Sequence, residues 1–246
     1  MRRRNEFFFS LAWPQAKGIL LATSRSNEIL NAELQKQPAH ESVYRGMRTM
    51  ILGGDFAPGQ AVTIQGLVEL LGAGMTPVRE AIRRLISEGA LQFQGNRRVS
   101  VPELTLSQID EILYARTALE PELARRAAQK ITAAHIHELR SIDDALNAAI
   151  ARGDVKAYLL QNYRFHMTLY SVAEAGVLLP LVQALWLRSA PSLRVMCGRF
   201  GTQNLPDMHI EALDALRAGD GEAAAEAIRQ DIAQGLENVR AVLVGD

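Results

Sequence analysis

Residues 76–89 read TPVREAIRRLISEG. Val78, Ile82, Leu85 and Ile86 recur at spacings of three and four, the period of a helix with one apolar face. Thr76 is the expected N-cap, Pro77 stands at the first helical position, and Gly89 is the stop. Arg79 and Arg83, four apart, lie together on another face and point outward. Upstream, ESVYRGMRTMIL (41–52) spaces Val43, Met47, Met50 and Ile51 as a helix and stops at GGDFAPG (53–59). IQGLVELL (64–71) resumes the pattern and GAGM (72–75) breaks it, so two helices meet across a tight turn. Downstream, ALQFQGNRRVSV (90–101) sets Leu91 and Phe93 before a Gly95-Asn96 turn and Val99 and Val101 after it, which predicts a two-stranded hairpin. Three helices and a hairpin make a winged helix-turn-helix over residues 39–102, closed by Pro102.

Beyond it the pattern is helical throughout. TLSQ (105–108) opens as a capping box, and Ile109, Ile112, Leu113, Leu119 and Leu123 mark one face. Thr132, Asp154, a start near Val177, Pro206 and Asp220 each precede a helical run, while Gly153, Gly176 and Gly219 stand at ends. The fold class is mainly α: an N-terminal winged helix-turn-helix joined to a C-terminal antiparallel bundle of about six helices over residues 103–246. The link near residues 102–105 is short enough to couple the motions of the two units. Residues 1–38 have no sustained period and read as a poorly ordered arm.

The composition sets outer limits. The chain has 246 residues, 48% hydrophobic and 22% charged, which suits buried cores and excludes wholesale disorder. Lys plus Arg and Asp plus Glu number 27 each, so neither a polycation nor an acidic tail protein is indicated, and any charged surface is local. The single cysteine, Cys197, offers no disulfide and no zinc-ribbon spacing, fits a reducing cytoplasm, and reads as a small buried hydrophobe. Asn5, Glu6, Pro14 and Lys17 interrupt the start, so no signal peptide is expected. VLLPLVQALWL (177–187) is too short for a membrane span.

Segment 39–102 holds seven Arg and five Asp or Glu, a net charge of +2 in a neutral chain. In the major groove, Arg79 and Arg83 can fork guanine edges or phosphates, Thr76 and the helix N-terminus can hold a phosphate, and Arg97 and Arg98 add charge on the wing. A solvated charged face is the competing reading of these arginines. YRGMRTMILGGDFAPG (44–59), TPVREAIRRLISEGAL (76–91) and the wing resemble the GntR superfamily of bacterial transcription regulators, and the helical remainder is similar to the effector domain of its FadR branch. The resemblance implies a homodimer on a pseudo-palindromic double-stranded DNA operator, each recognition helix reading one half-site. The family places Ser-Arg before TPVRE, whereas this chain has Gly74 and Met75. Met75 cannot neutralise a phosphate, which implies weaker binding or a different operator, and Arg2, Arg3 and Arg4 are candidates to compensate.

The chain has five histidines. In QNYRFHMTLY (161–170), Asn162 and His166 share a helix face. HIEALDALRAGDGEAAAEAIRQDI (209–232) places His209 on the fifth bundle helix and Asp231 on the sixth. An amide oxygen, two imidazoles and a carboxylate suit one divalent transition metal, Zn, Mn or Ni, or can hydrogen-bond a small acid directly. The competing reading keeps both histidines as satisfied bundle residues and Asp231 as exposed. Metal-binding members of the FadR branch carry Asp or Asn four residues before a His, a second His opening the penultimate helix and a third in the last. The resemblance thus implies Asn162, His166, His209 and Asp231 as metal ligands, with Asp in place of the last His. It also implies Arg116, Asn162, His166 and His209 as contacts of a small carboxylate effector. For Arg116 an ion pair with Glu120, four residues on, is the alternative. Arg188 and Arg194 are further cationic candidates, matched by a solvated-face reading.

The function these readings favour is a cytoplasmic, ligand-responsive transcription regulator, a repressor released by a small organic acid, and not an enzyme. A metal-dependent hydrolase is one alternative, although HExxH, phosphate-loop and GxSxG motifs are missing from the sequence. A dimeric ligand sensor that has lost DNA binding is another.

Overall fold

In a computed structural model, the structure describes residues 39–94, 98–200 and 208–244, with the side chains of 198–200 excepted. The expectations placed on residues 1–38, on the Gly95-Asn96 turn, on Arg97 and on Pro206 lie outside the described residues.

The first unit comprises α1 (Ala39–Leu52), β1 (Ala61–Val62), α2 (Ile64–Leu71), α3 (Met75–Ser87), β2 (Gln92–Gln94) and β3 (Arg98–Ser100). Its core is Val43, Met47 and Ile51 from α1, Val78, Ala81, Ile82 and Leu85 from α3, and Leu91, Val99 and Val101 from the wing. This is the apolar stripe that leaves Arg79 and Arg83 outside. Three details differ from the sequence reading. Gly74, extended at φ −71° and ψ 161°, is the N-cap of α3, so Thr76 lies inside the first turn. Pro77 tolerates this because the first N–H groups of a helix have no intrahelical acceptor. The wing is a three-stranded antiparallel sheet in the order β1-β3-β2, with Val62 opposite Val99 and Phe93 opposite Val99 on the other side. β1 has two residues, too few to show a period. Leu91 is 2% exposed but Phe93 is 61% exposed, because the strand begins at Gln92 and β2 is an edge whose three residues all face solvent.

Among the described residues the bundle has six helices: α4 (Leu106–Ala128), α5 (Ala133–Arg152), α6 (Val155–Ser171), α7 (Leu178–Phe200), α8 (Met208–Ala218) and α9 (Gly221–Val244). Thr105 and Gln108 close the capping box of α4, and Thr132 and His135 form a second on α5. Asp154 caps α6 through Ala157 N, and Asp220 accepts from Ala223 N at the start of α9. α9 packs along α4 and against α8, α5 against α6, and α7 against α4, α6 and α9. Pro121 sits inside α4, where it removes the hydrogen bond to the Thr117 carbonyl. Arg229 of α9 takes that acceptor at 2.7 Å. Cys197 is buried in a small apolar cluster with Ile109, Leu159, Leu193, Met196 and Val239, and burial pushes its thiol up to about 11. Among the described residues no helix is long and apolar enough to cross a membrane.

Candidate functional site

The candidate nucleic-acid face is carried by α3 and the sheet. Met75, Thr76, Arg79 and Arg83 are all exposed on α3, and Arg98 is exposed on β3. Arg83 donates to Glu80 at 2.6 Å, a surface pair of small net worth that can be exchanged for a phosphate. Among the described residues Arg79 makes no ion pair. Arg84, on the neighbouring face, is structural: its guanidinium lies 3.6 Å from the Tyr44 ring centroid and bonds Glu41 and Glu88.

Inside the bundle, His166 of α6, His209 of α8 and Asp231 of α9 each present one donor atom, and the three lie within 4.8 Å of one another. His166 Nε2 is 3.1 Å from Asp231 Oδ2 and 3.4 Å from His209 Nε2. Phe165 stacks on the His209 ring at 3.9 Å between centroids. Both imidazoles are buried, whereas the Asp231 side chain keeps 26% of its surface exposed. Asn162 lies one turn before His166 on the same side of α6 and is half-buried.

Hydrogen bonds behind the rings assign the tautomers. Burial and the adjacent Glu120 push the Tyr170 hydroxyl well above its ordinary value, so it keeps its proton and donates it to Glu120 Oε2 at 2.7 Å. His166 Nδ1, 2.9 Å from that hydroxyl, must then be the donor. His209 Nδ1 likewise donates to the Asp143 carboxylate at 3.1 Å. In each neutral ring the remaining lone pair is on Nε2, so two lone pairs converge beside a carboxylate. Satisfying Asp231 Oδ2 with a proton would charge His166. Burial opposes this and lowers the His166 pKa in spite of Asp231. On Asp231 burial is the largest influence and acts upward, but His166, His209 and Arg116 together outweigh it and hold the carboxyl at about 2.

A divalent cation would resolve this conflict, and the donor set fits one. Two nitrogens bound to a tetrahedral zinc at about 2.05 Å stand about 3.3 Å apart, close to the observed separation of the Nε2 atoms. Each imidazole is also held from behind by a hydrogen bond on its other nitrogen, as metal-ligating histidines usually are.

Arg116 takes the second of its two readings. It is 3% exposed, its Nε donates to Glu120 Oε1 at 2.5 Å, and its guanidinium lies 4.0 Å from the Trp186 ring centroid. Glu120 Oε2 also accepts from the Trp186 indole at 3.1 Å, so Arg116, Glu120, Trp186, Tyr170 and His166 form one buried polar network.

Residues 39–101 match bacterial regulatory proteins of the gntR family, and residues 111–234 match the FCD domain. The HTH-type transcriptional regulator McbR of Escherichia coli K12 is 32% identical over 73% of this chain and 85% of its own length. The chain belongs to the GntR family. The HTH-type transcriptional repressor RspR of the same organism is 27% identical over 84% of this chain and 91% of its own. The solved structure of E. coli McbR/YncC superposes with a TM-score of 0.77 at 26% identity, covering 82% of this chain and 97% of that one. This GntR protein is therefore a DNA-binding transcription regulator with an FCD domain, not an enzyme, which sets aside the hydrolase reading and the reading without DNA binding.

Sequence reasoning missed Asp143, Glu120 as a hub, Tyr170 and Trp186. Asp143 was legible: Leu139, Ile142, Leu146 and Ala149 put it on the buried side of α5. Tyr170 stands four residues after His166. The role of Trp186, on another helix, has no local signal.

Proposed function

We propose that this GntR regulator is a cytoplasmic homodimeric repressor whose affinity for a pseudo-palindromic operator is set by a small carboxylate bound beside a divalent cation in the bundle. The observation that carries this reading is the convergence of His166 Nε2, His209 Nε2 and Asp231 in the protein interior, with Asn162 one turn away as a further oxygen donor. A cation of the zinc, manganese or nickel type held there would supply positive charge and coordination positions open to a carboxylate oxygen.

The chain's own groups do the rest. Asp143 and Tyr170 fix the two rings, and Phe165 and Trp186 exclude water from their faces. Arg116 places a second cation near Asp231, its own charge balanced by Glu120. Effector contacts then fall to Asn162, His166 and His209, with Arg116 acting across the network. On the outside, Arg79 and Arg83 read base edges or phosphates, Thr76 and the α3 N-terminus hold a phosphate, and Arg97 and Arg98 follow the backbone from the wing. Met75, 53% exposed at the first position of α3, offers a thymine methyl an apolar contact where an arginine would seek guanine.

Metal analysis of the purified protein and of a His166→Ala/His209→Ala double variant tests the site. Bound metal is expected in the first and its loss in the second, and equal content in both overturns the ligand assignment. A thermal-shift screen of carboxylates with and without divalent ions then identifies the effector class, since a ligand of the native state raises its stability.

A further inference from the structure

Among the described residues, side chains of α6 and α7 reach the helix-turn-helix unit at three places. On α1, Arg48 Nη2 donates to the Tyr163 hydroxyl at 2.9 Å. In the loop after α1, Lys156 donates to Asp55 at 2.7 Å, and the Arg194 side chain fills the space a Cβ on Gly54 would need. At the end of the recognition helix, Arg188 Nε donates to the Glu88 carbonyl at 3.1 Å. Glu88 is the C-cap of α3, where carbonyls lack intrahelical donors. Gly89 follows at φ +73°, and the Arg188 guanidinium lies where its Cβ would be, so only glycine admits this approach. The Glu88 carboxylate accepts from the Tyr44 hydroxyl at 2.7 Å and from Arg84 at 3.3 Å. Arg188 therefore grips the corner where α1 and the end of α3 meet.

The same two helices carry the three-donor site. Tyr163 and His166 are three residues apart on α6, about 4.5 Å along its axis. Trp186 precedes Arg188 by two residues on α7. Its ring is 5.0 Å from His166 and 5.6 Å, edge-on, from Tyr163, so one buried side chain touches both the site and an anchor. In a close-packed interior a shift of His166 is passed to such neighbours rather than absorbed.

We propose that Tyr163 and Arg188 are positioning residues for DNA reading: through Trp186 and these two anchors, filling the His166/His209/Asp231 site changes how α3 is held on the bundle. The proposal rests on reading that site as a cation site.

The full chain, zinc as the sole probe, and a duplex enriched from a random pool by the wild-type protein test it. Zinc is expected to change wild-type duplex affinity by about fivefold or more, and to within about twofold of unity in Tyr163→Phe and in Arg188→Ala. Zinc affinity and thermal midpoint should stay at wild-type values in both, which a merely structural defect would not allow. Amide exchange over residues 84–91 should respond to zinc in the wild type and not in Arg188→Ala. Arg188→Lys, which keeps a charge and a donor, should retain part of the coupling. The full wild-type factor in either Tyr163→Phe or Arg188→Ala, or a wild-type factor near unity with zinc bound, overturns the proposal alone. Failure of the wild type to bind zinc in direct titration overturns the cation reading, and this proposal with it.

Discussion

Asp143 is the residue that would make a buried histidine a ligand, because its bond to His209 Nδ1 leaves the Nε2 lone pair facing His166. Asp143→Asn should therefore lower zinc affinity by about 10- to 100-fold in calorimetric titration, as loss of such partners does elsewhere, with the fold intact by circular dichroism. An unchanged affinity would mean that the ring needs no such support. His166 carries a pH dependence of definite sign. Its folded pKa is depressed by burial below the ordinary value near 6.5, so under mild acid the unfolded chain binds a proton that the folded chain resists. The metal-free protein should be most stable above about pH 6.5 and lose stability as pH falls through that value toward the lower folded pKa. Thermal melts in chelator between pH 7.5 and 5.5 check this, and a rising midpoint on acidification would contradict it. His166, His209 and Asp231 were legible as candidates from spacing and helix order, whereas Arg116 was not: its two partners were equally open in sequence, and only burial beside Glu120 chose between them.

At the scale of elements, the helix ends were legible because capping is local chemistry. Thr105, Thr132 and Asp154 all act where their side chains imply. Thr76 is the instructive exception, since Gly74 starts α3 and frees the Thr76 hydroxyl for a ligand. Thr76→Ala should accordingly leave the melting midpoint almost unchanged while weakening duplex binding. Thr63→Ala, which removes the side chain that accepts from Gly66 N at the start of α2, should cost about 1 kcal/mol in chemical denaturation. The opposite pattern would restore Thr76 as the cap. The packing of α9 on α4 has a comparable dependence on one contact: Arg229→Ala orphans the carbonyl exposed by Pro121 and should cost about 1 kcal/mol.

For the whole molecule, charge distribution decides how DNA is held. With no net charge over the chain, affinity is expected from local basic faces such as that of α3 and the wing. Replacing Arg79 with Ala should reduce the slope of log affinity against log salt by about 1 if it meets a phosphate. If it reads a guanine instead, the slope persists and discrimination at that base pair falls by about 1–3 kcal/mol. Equal, salt-insensitive binding by variant and wild type would remove α3 from the interface. Zinc at 100 times its dissociation constant should add about 2.7 kcal/mol to unfolding, read as a raised melting midpoint that chelator reverses.

The order of elements, the capped ends and the outward arginines could be read from the chain alone, because each depends on spacing along one helix or on a side chain bonding backbone a few residues away; the candidate ligands Asn162, His166, His209 and Asp231 were picked out by helix order and by the resemblance to the FadR branch. The three-residue convergence, the Asp143 and Tyr170 supports, the Arg116–Glu120 pairing, the short strand β1 and the anchors at Arg48, Asp55 and Glu88 were decided only in three dimensions. Most join residues far apart in the chain, up to the 115 positions between Arg48 and Tyr163, and even the four-residue pairs Arg116–Glu120 and His166–Tyr170 are fixed by burial among other helices; no local periodicity encodes which faces of separate helices meet.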